Sequence, residues 1–136
     1  MNKAFIDTSV ILRLLVKDDE CKIKSTLELI KNADERAGAL YIFPVAVLEI
    51  VWVLEKVYKY TRKNIRELVE AILNTPGIKA ENEQVFRDAL LTYETKNIKF
   101  ADAVMGYWGL EKGFTTVYTY DKKDFKRIEG LKVKSP

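Results

Sequence analysis

Apolar positions along the chain switch repeatedly between short continuous runs and helical spacing, and this switching predicts an α/β order. Ala4-Phe5-Ile6 is a short apolar run closed by Asp7-Thr8-Ser9, which reads as a buried strand, and Val10 to Val16 continues as a helix. Asp18 and Asp19 can cap a second helix, whose apolar positions Ile23, Leu27 and Ile30 keep helical spacing. Ala39 to Phe43 is a second strand. Pro44 then suits the first turn of a third helix, where its missing N–H is harmless, and Val47, Ile50, Val51, Leu54 and Val57 form that helix's apolar stripe.

Thr61 can cap a fourth helix, in which Ile65, Leu68, Val69 and Ile72 repeat at helical spacing until Pro76-Gly77 ends it. Ile78 to Ala80 reads as a short strand. Two helices follow, near Glu83 to Thr95 and Ala101 to Lys112, with Gly113 as the stop. Thr116 to Thr119 is a β-branched strand ending at Tyr120-Asp121; a helical turn through Phe125 and Ile128 leads to a last strand around Leu131 to Val133. Strands alternating with helices predict a central parallel sheet of about four or five strands, flanked by helices on both faces. Neither a repeat nor a Pro/Gly-rich linker interrupts the chain, so its 136 residues are expected to form one domain.

Composition narrows the chemistry more than the fold. The chain has no histidine, which removes Ser-His-Asp and Cys-His catalysis and His-ligated zinc together. Hydrolytic chemistry must then rest on carboxylates, hydroxyls, lysine or a hard metal ion. A single cysteine, Cys21, cannot form an internal disulfide, and the chain carries no secretory signal, so a cytoplasmic protein is expected. The longest apolar run, Ile42 to Leu54, is broken by Pro44 and Glu49 and falls short of the ~18 residues of a membrane span. The net charge of +3 permits a polyanionic partner without demanding one.

Within that frame the acids stand out by position. Asp7 follows the first predicted strand and Asp121 the fourth, so a parallel sheet would set both at the rim of the crevice beyond the strands' carboxyl ends, the usual ligand site of such sheets. Capping for Asp7 and a turn role for Asp121 are the plainer readings of each residue taken singly. Glu49 is the only charge between Ala37 and Leu54, on a nearly all-apolar helix. A lone buried carboxylate is costly unless paired or bound to a cation; the plainer reading puts Glu49 at a narrow exposed edge. Asp102 opens a helix among small and apolar neighbours, where the helix N-terminus alone would favour a negative charge. Hard ions such as Mg²⁺ are held by a few carboxylates plus water and phosphate oxygens, and four acids without a histidine suit that chemistry.

The same residues resemble the PIN domains, especially the VapC-type toxins of toxin–antitoxin pairs, over nearly the whole chain. Ala4-Phe5-Ile6-Asp7-Thr8-Ser9 resembles the family's N-terminal strand and its Asp-Thr-Ser/Asn signature, and Pro44 to Glu49 is similar to the segment with the helical glutamate. Phe100-Ala101-Asp102-Ala103 resembles the third acidic motif, and Val117 to Phe125 the fourth. The resemblance implies an endoribonuclease dependent on Mg²⁺ or Mn²⁺. It assigns Asp7, Glu49, Asp102 and Asp121 to the metal site, with Thr8, Ser9 and Thr119 as polar support. Asp124 matches an additional acid of many members, beside the plainer reading of a cap or surface acid. A homodimer and a small antitoxin partner are also implied.

Lys56 to Arg66 holds five basic residues and no acid, and the C-terminal stretch adds Lys122, Lys123, Lys126, Arg127, Lys132 and Lys134. Phosphate contact to RNA, above all by Lys122 and Lys123, competes here with a merely solvated basic face. Trp52, Tyr107 and Trp108 read as core or dimer-interface residues rather than as base-stacking platforms. Two other functions stay open: a non-catalytic PIN module that binds RNA or a protein, and a haloacid-dehalogenase-like phosphatase. The latter needs a second aspartate two residues after Asp7, where this chain has Ser9.

Overall fold

The computed structural model describes residues 3–36 and 39–136. It divides into two compact units, Met1–Glu81 and Asn82–Pro136. The elements follow the predicted α/β order, and every strand pair is parallel. The strands pair as a sheet of three, β1-β2-β3, and a sheet of two, β4-β5. No described helix is long and apolar enough to cross a membrane.

In the first unit β1 (Ala4–Phe5) leads into α1 (Thr8–Val16) and α2 (Glu20–Glu35), then β2 (Leu40–Ile42), α3 (Pro44–Lys56), α4 (Arg62–Leu73) and β3 (Ile78–Ala80). Side chains close the predicted helix starts. Asp19 accepts a hydrogen bond from the Lys22 N–H at 3.1 Å, and the Thr61 hydroxyl accepts one from Asn64 at 3.2 Å; each cap stabilises its helix by about 1 kcal/mol. Ile11, Ile42, Val47, Val51, Leu54 and Ile65 are fully buried. The predicted stripe of α2 is only partly so. Ile30 and Thr26 are buried, whereas Leu27 is 54% exposed, because the face that packs runs through positions 26 and 30.

Register decides where this unit presents its acids. Ala4 pairs with Leu40 and Phe5 with Tyr41, so β1 and β2 end at one edge of the sheet and both α1 and α3 start there. The Ile6 N–H still reaches the Tyr41 carbonyl at 2.9 Å, and Phe5 stacks on Phe43 with ring centroids 5.1 Å apart. The end of β1 is thus tied to the residue that precedes α3, and α1 packs on α3.

The second unit runs α5 (Glu83–Thr95), α6 (Phe100–Glu111), β4 (Thr116–Tyr118), α7 (Lys122–Phe125) and β5 (Lys132–Lys134). Phe100 gathers Phe86 at 6.3 Å and Tyr93 edge-on at 5.8 Å, which fixes α6 on α5. Gly113, at φ +87°, turns the chain out of α6 as predicted. Within α6, Gly106 makes room for its neighbours: a Cβ there would lie 2.5 Å from the end of the Ile128 side chain and 3.2 Å from that of Leu131. The absence of a side chain at Gly106 leaves room for Ile128 and Leu131, in the segment after α7, to lie against α6.

Candidate active site

Asp7 is the residue that precedes α1, in extended conformation at φ −86° and ψ 160°. Its carbonyl accepts the first helical bonds from Val10 and Ile11, but its side chain does not cap the helix. Instead the Ser9 hydroxyl donates to Asp7 Oδ2 at 2.8 Å. That hydrogen bond holds the exposed Asp7 carboxyl below the ordinary carboxylate range, against a smaller opposing effect of desolvation; the backbone N–H groups of Ser9 and Thr8 help. Ser9 therefore takes a supporting position beside Asp7. Thr8 is buried, with its side chain in the first turn of α1.

Glu49 lies in the second turn of α3 and is exposed, which corrects the expectation of a buried carboxylate. The reason is that α3 carries two apolar faces. Ala46, Val47, Ile50, Val51 and Leu54 fill the core face, and Glu49 shares the other with Val45 and Trp52. An apolar sequence on both sides of a charge therefore did not mean burial of the charge. Trp52, 59% exposed, is likewise no core residue, while Tyr107 and Trp108 are half-buried.

The second unit brings its acids together. Asp102 is the third residue of α6 and is half-buried; Asp121 is the residue before α7 and is exposed; Asp124, within α7, is buried with 7% of its surface accessible. It is the one charged residue found buried among the described residues. The surface-acid reading of Asp124 therefore fails. Its Oδ2 accepts the backbone N–H of Lys99 at 3.0 Å, which ties α7 to the start of α6. Burial pushes the Asp102 carboxyl above the ordinary range, and the charge of Asp124 adds to the shift. Lys99 opposes it, and Asp121 and a hydrogen bond with Asp124 reinforce it.

Thr119 organises Asp121. Its hydroxyl accepts the Asp121 N–H at 3.0 Å and lies 3.1 Å from the Asp121 carbonyl, to which it can donate. This closes the turn between β4 and α7. Lys99, which no sequence motif singled out, places its ammonium 3.9 Å from Asp121 Oδ2. The only sequence signal was its place just before a helix whose first turn holds an acid. Lys122 is half-buried and Lys123 exposed, both in α7 beside these acids. In the other basic run, Lys56 pairs with Glu55 and Arg66 with Glu70, so those two belong to a paired surface.

The donors available here are oxygen atoms, as a hard cation requires. Crowding of negative charge around Asp102 is the electrostatic condition that a divalent ion relieves. Within either unit, however, no three acidic or cysteine side chains of the described residues form a group that could hold an ion unaided.

A model of the PIN domain family matches residues 4–131. The chain belongs to the PIN domain family. It is also similar to a VapC ribonuclease from Aquifex aeolicus (strain VF5), 27% identical over 131 residues that cover 96% of this chain and 95% of the relative. Membership in the PIN family displaces the dehalogenase-like reading, in agreement with Ser9 standing where that class needs an acid.

Proposed function

We propose that this PIN protein is a metal-dependent endoribonuclease and the toxin of a VapBC-type pair. Residues 1–136 act as one PIN domain, with Asp7, Glu49, Asp102 and Asp121 as the metal-binding acids and Mg²⁺ or Mn²⁺ as the ion. The observation that carries the reading is Asp102, a half-buried carboxyl crowded by Asp124 and Asp121 in a family member whose relative is a ribonuclease. A bound divalent ion supplies an activated water and neutralises charge on the phosphate. The chain's own residues orient the donors: Ser9 keeps Asp7 anionic, Thr119 shapes the turn that presents Asp121, and Asp124 anchors the start of α6.

Lys122 and Lys123 contact RNA phosphates in this reading, giving affinity without sequence preference. A cytoplasmic location and a small antitoxin partner follow from the toxin role. A homodimer is supported by Val45 and Trp52, large apolar side chains left exposed on α3. The test is RNA cleavage in Mg²⁺ and in Mn²⁺ against chelator, with folded Asp7→Asn and Asp102→Asn as controls. Metal-dependent cleavage lost in both variants supports the assignment. RNA binding that ignores metal, with no cleavage, would instead make the chain a non-catalytic binding module.

A further inference from the structure

Asp102 occupies the third position of α6, the position from which a side-chain acceptor can reach back to the N–H of the residue before the helix, here Lys99. In this protein that N–H is already taken: Asp124 accepts it at 3.0 Å from a different helix, 25 residues on in sequence. Lys99 supplies no side-chain cap of its own. A carboxylate is buried only where it is satisfied, and Asp124 is the one charged residue buried among the described residues. The simplest local use of Asp102, capping its own helix, has thereby been transferred to a residue brought in by the tertiary fold.

We propose that Asp124 is a positioning residue that accepts the Lys99 N–H in place of Asp102, and so leaves the Asp102 carboxyl unclaimed by the helix backbone and available to a metal. It acts through the backbone of α6 rather than as a metal ligand. An asparagine at 124 keeps an acceptor oxygen and an alanine does not, so the two substitutions separate the roles. The part concerning metal rests on the ribonuclease reading; the part concerning the Lys99 N–H does not.

Two measurements on the full chain test this. The first is amide hydrogen exchange at Lys99 in chelator. Protection is expected to survive in Asp124→Asn, and in Asp124→Ala as well, because Asp102 folds back to replace the lost acceptor. It should fall at least tenfold only in the double variant Asp124→Ala with Asp102→Ala. The second is the rise in melting temperature on adding Mn²⁺. Asp124→Asn is expected to keep most of the wild-type rise, whereas Asp124→Ala behaves like Asp102→Asn. A rise abolished in Asp124→Asn as fully as in Asp102→Asn makes Asp124 a ligand and overturns the proposal. So does a full rise in Asp124→Ala, or Lys99 protection that persists in the double variant. Should Asp124→Ala fail to fold, Asp124→Asn still decides between ligand and positioning residue. A wild type indifferent to Mn²⁺ while the exchange pattern holds would overturn the ribonuclease reading and the metal half of this one, leaving the transferred hydrogen bond established.

Discussion

Asp7 in the first unit and Asp102 in the second present the same side chain at the start of a helix, under opposite electrostatic conditions. Asp7 is exposed and its carboxyl is held below the ordinary range by a hydroxyl two residues away. Asp102 is half-buried and pushed above that range by burial and by acids 19 and 22 residues on. One acid is made a ready anion by its own motif. The other has its charged form disfavoured by burial and by neighbouring acids, the condition that a cation offsets.

The largest effect should appear in catalysis, where the difference between the two disappears. Replacing metal-binding acids is expected to cost more than the roughly 10–100-fold typical of outer-shell partners, so Asp7→Asn, Glu49→Asn or →Gln, Asp102→Asn and Asp121→Asn should each lose over about a hundredfold in RNA cleavage. Folded Asp7→Asn or Asp102→Asn with full activity would remove the assignment. Asp124→Asn should be the mildest of the acid substitutions.

Melting in chelator should then separate the pair. Asp102→Asn removes a charge that the folded state disfavours, so it should melt at or above wild type, yet gain far less from millimolar Mg²⁺ or Mn²⁺. Asp7→Asn removes a charge that Ser9 supports and should melt slightly below wild type, with an equally reduced gain. Identical behaviour of the two variants in chelator would show that their surroundings do not matter.

RNA binding tests the basic residues of α7 apart from the acids. If Lys122 and Lys123 each meet a phosphate, replacing both should lower the slope of log affinity against log salt by about 1.4 on single strands. Cleavage of saturating RNA should change little. An unchanged slope would return both lysines to a solvated face.

The smallest effects, and the sharpest for the comparison, lie in the pH dependence of stability without metal. Asp7 is depressed, so the advantage of wild type over Asp7→Asn is present above about pH 4 and disappears as pH falls below it. Asp102 is raised, so wild type is penalised relative to Asp102→Asn as pH rises from about 4 through the folded value. Ser9→Ala should weaken the first dependence, leaving only the backbone N–H groups to support Asp7, and leave the second intact. The two dependences have opposite signs, and chemical denaturation across pH measures both.

By itself, the sequence determined whatever depends on near neighbours. Hydrophobic spacing placed the helices and strands, Asp19 and Thr61 capped the helices they precede, and Gly113 ended α6, because caps, turns and periodicity are local properties of the backbone. The absence of histidine and the four acidic motifs pointed to oxygen-ligand chemistry, and the Asp-Thr-Ser motif already contained the hydroxyl that supports Asp7. Tertiary structure alone decided which side chains lose water. It left Glu49 and Trp52 exposed on a helix whose sequence is nearly all apolar up to Leu54, since a helix buries only the face that meets a neighbour. It buried Asp124, joined it to the Lys99 N–H, and set it beside Asp102. Those contacts link residues more than 20 positions apart, through a packing that includes the space left by Gly106, and desolvation and charge crowding depend on that distance in space rather than on any spacing along the chain.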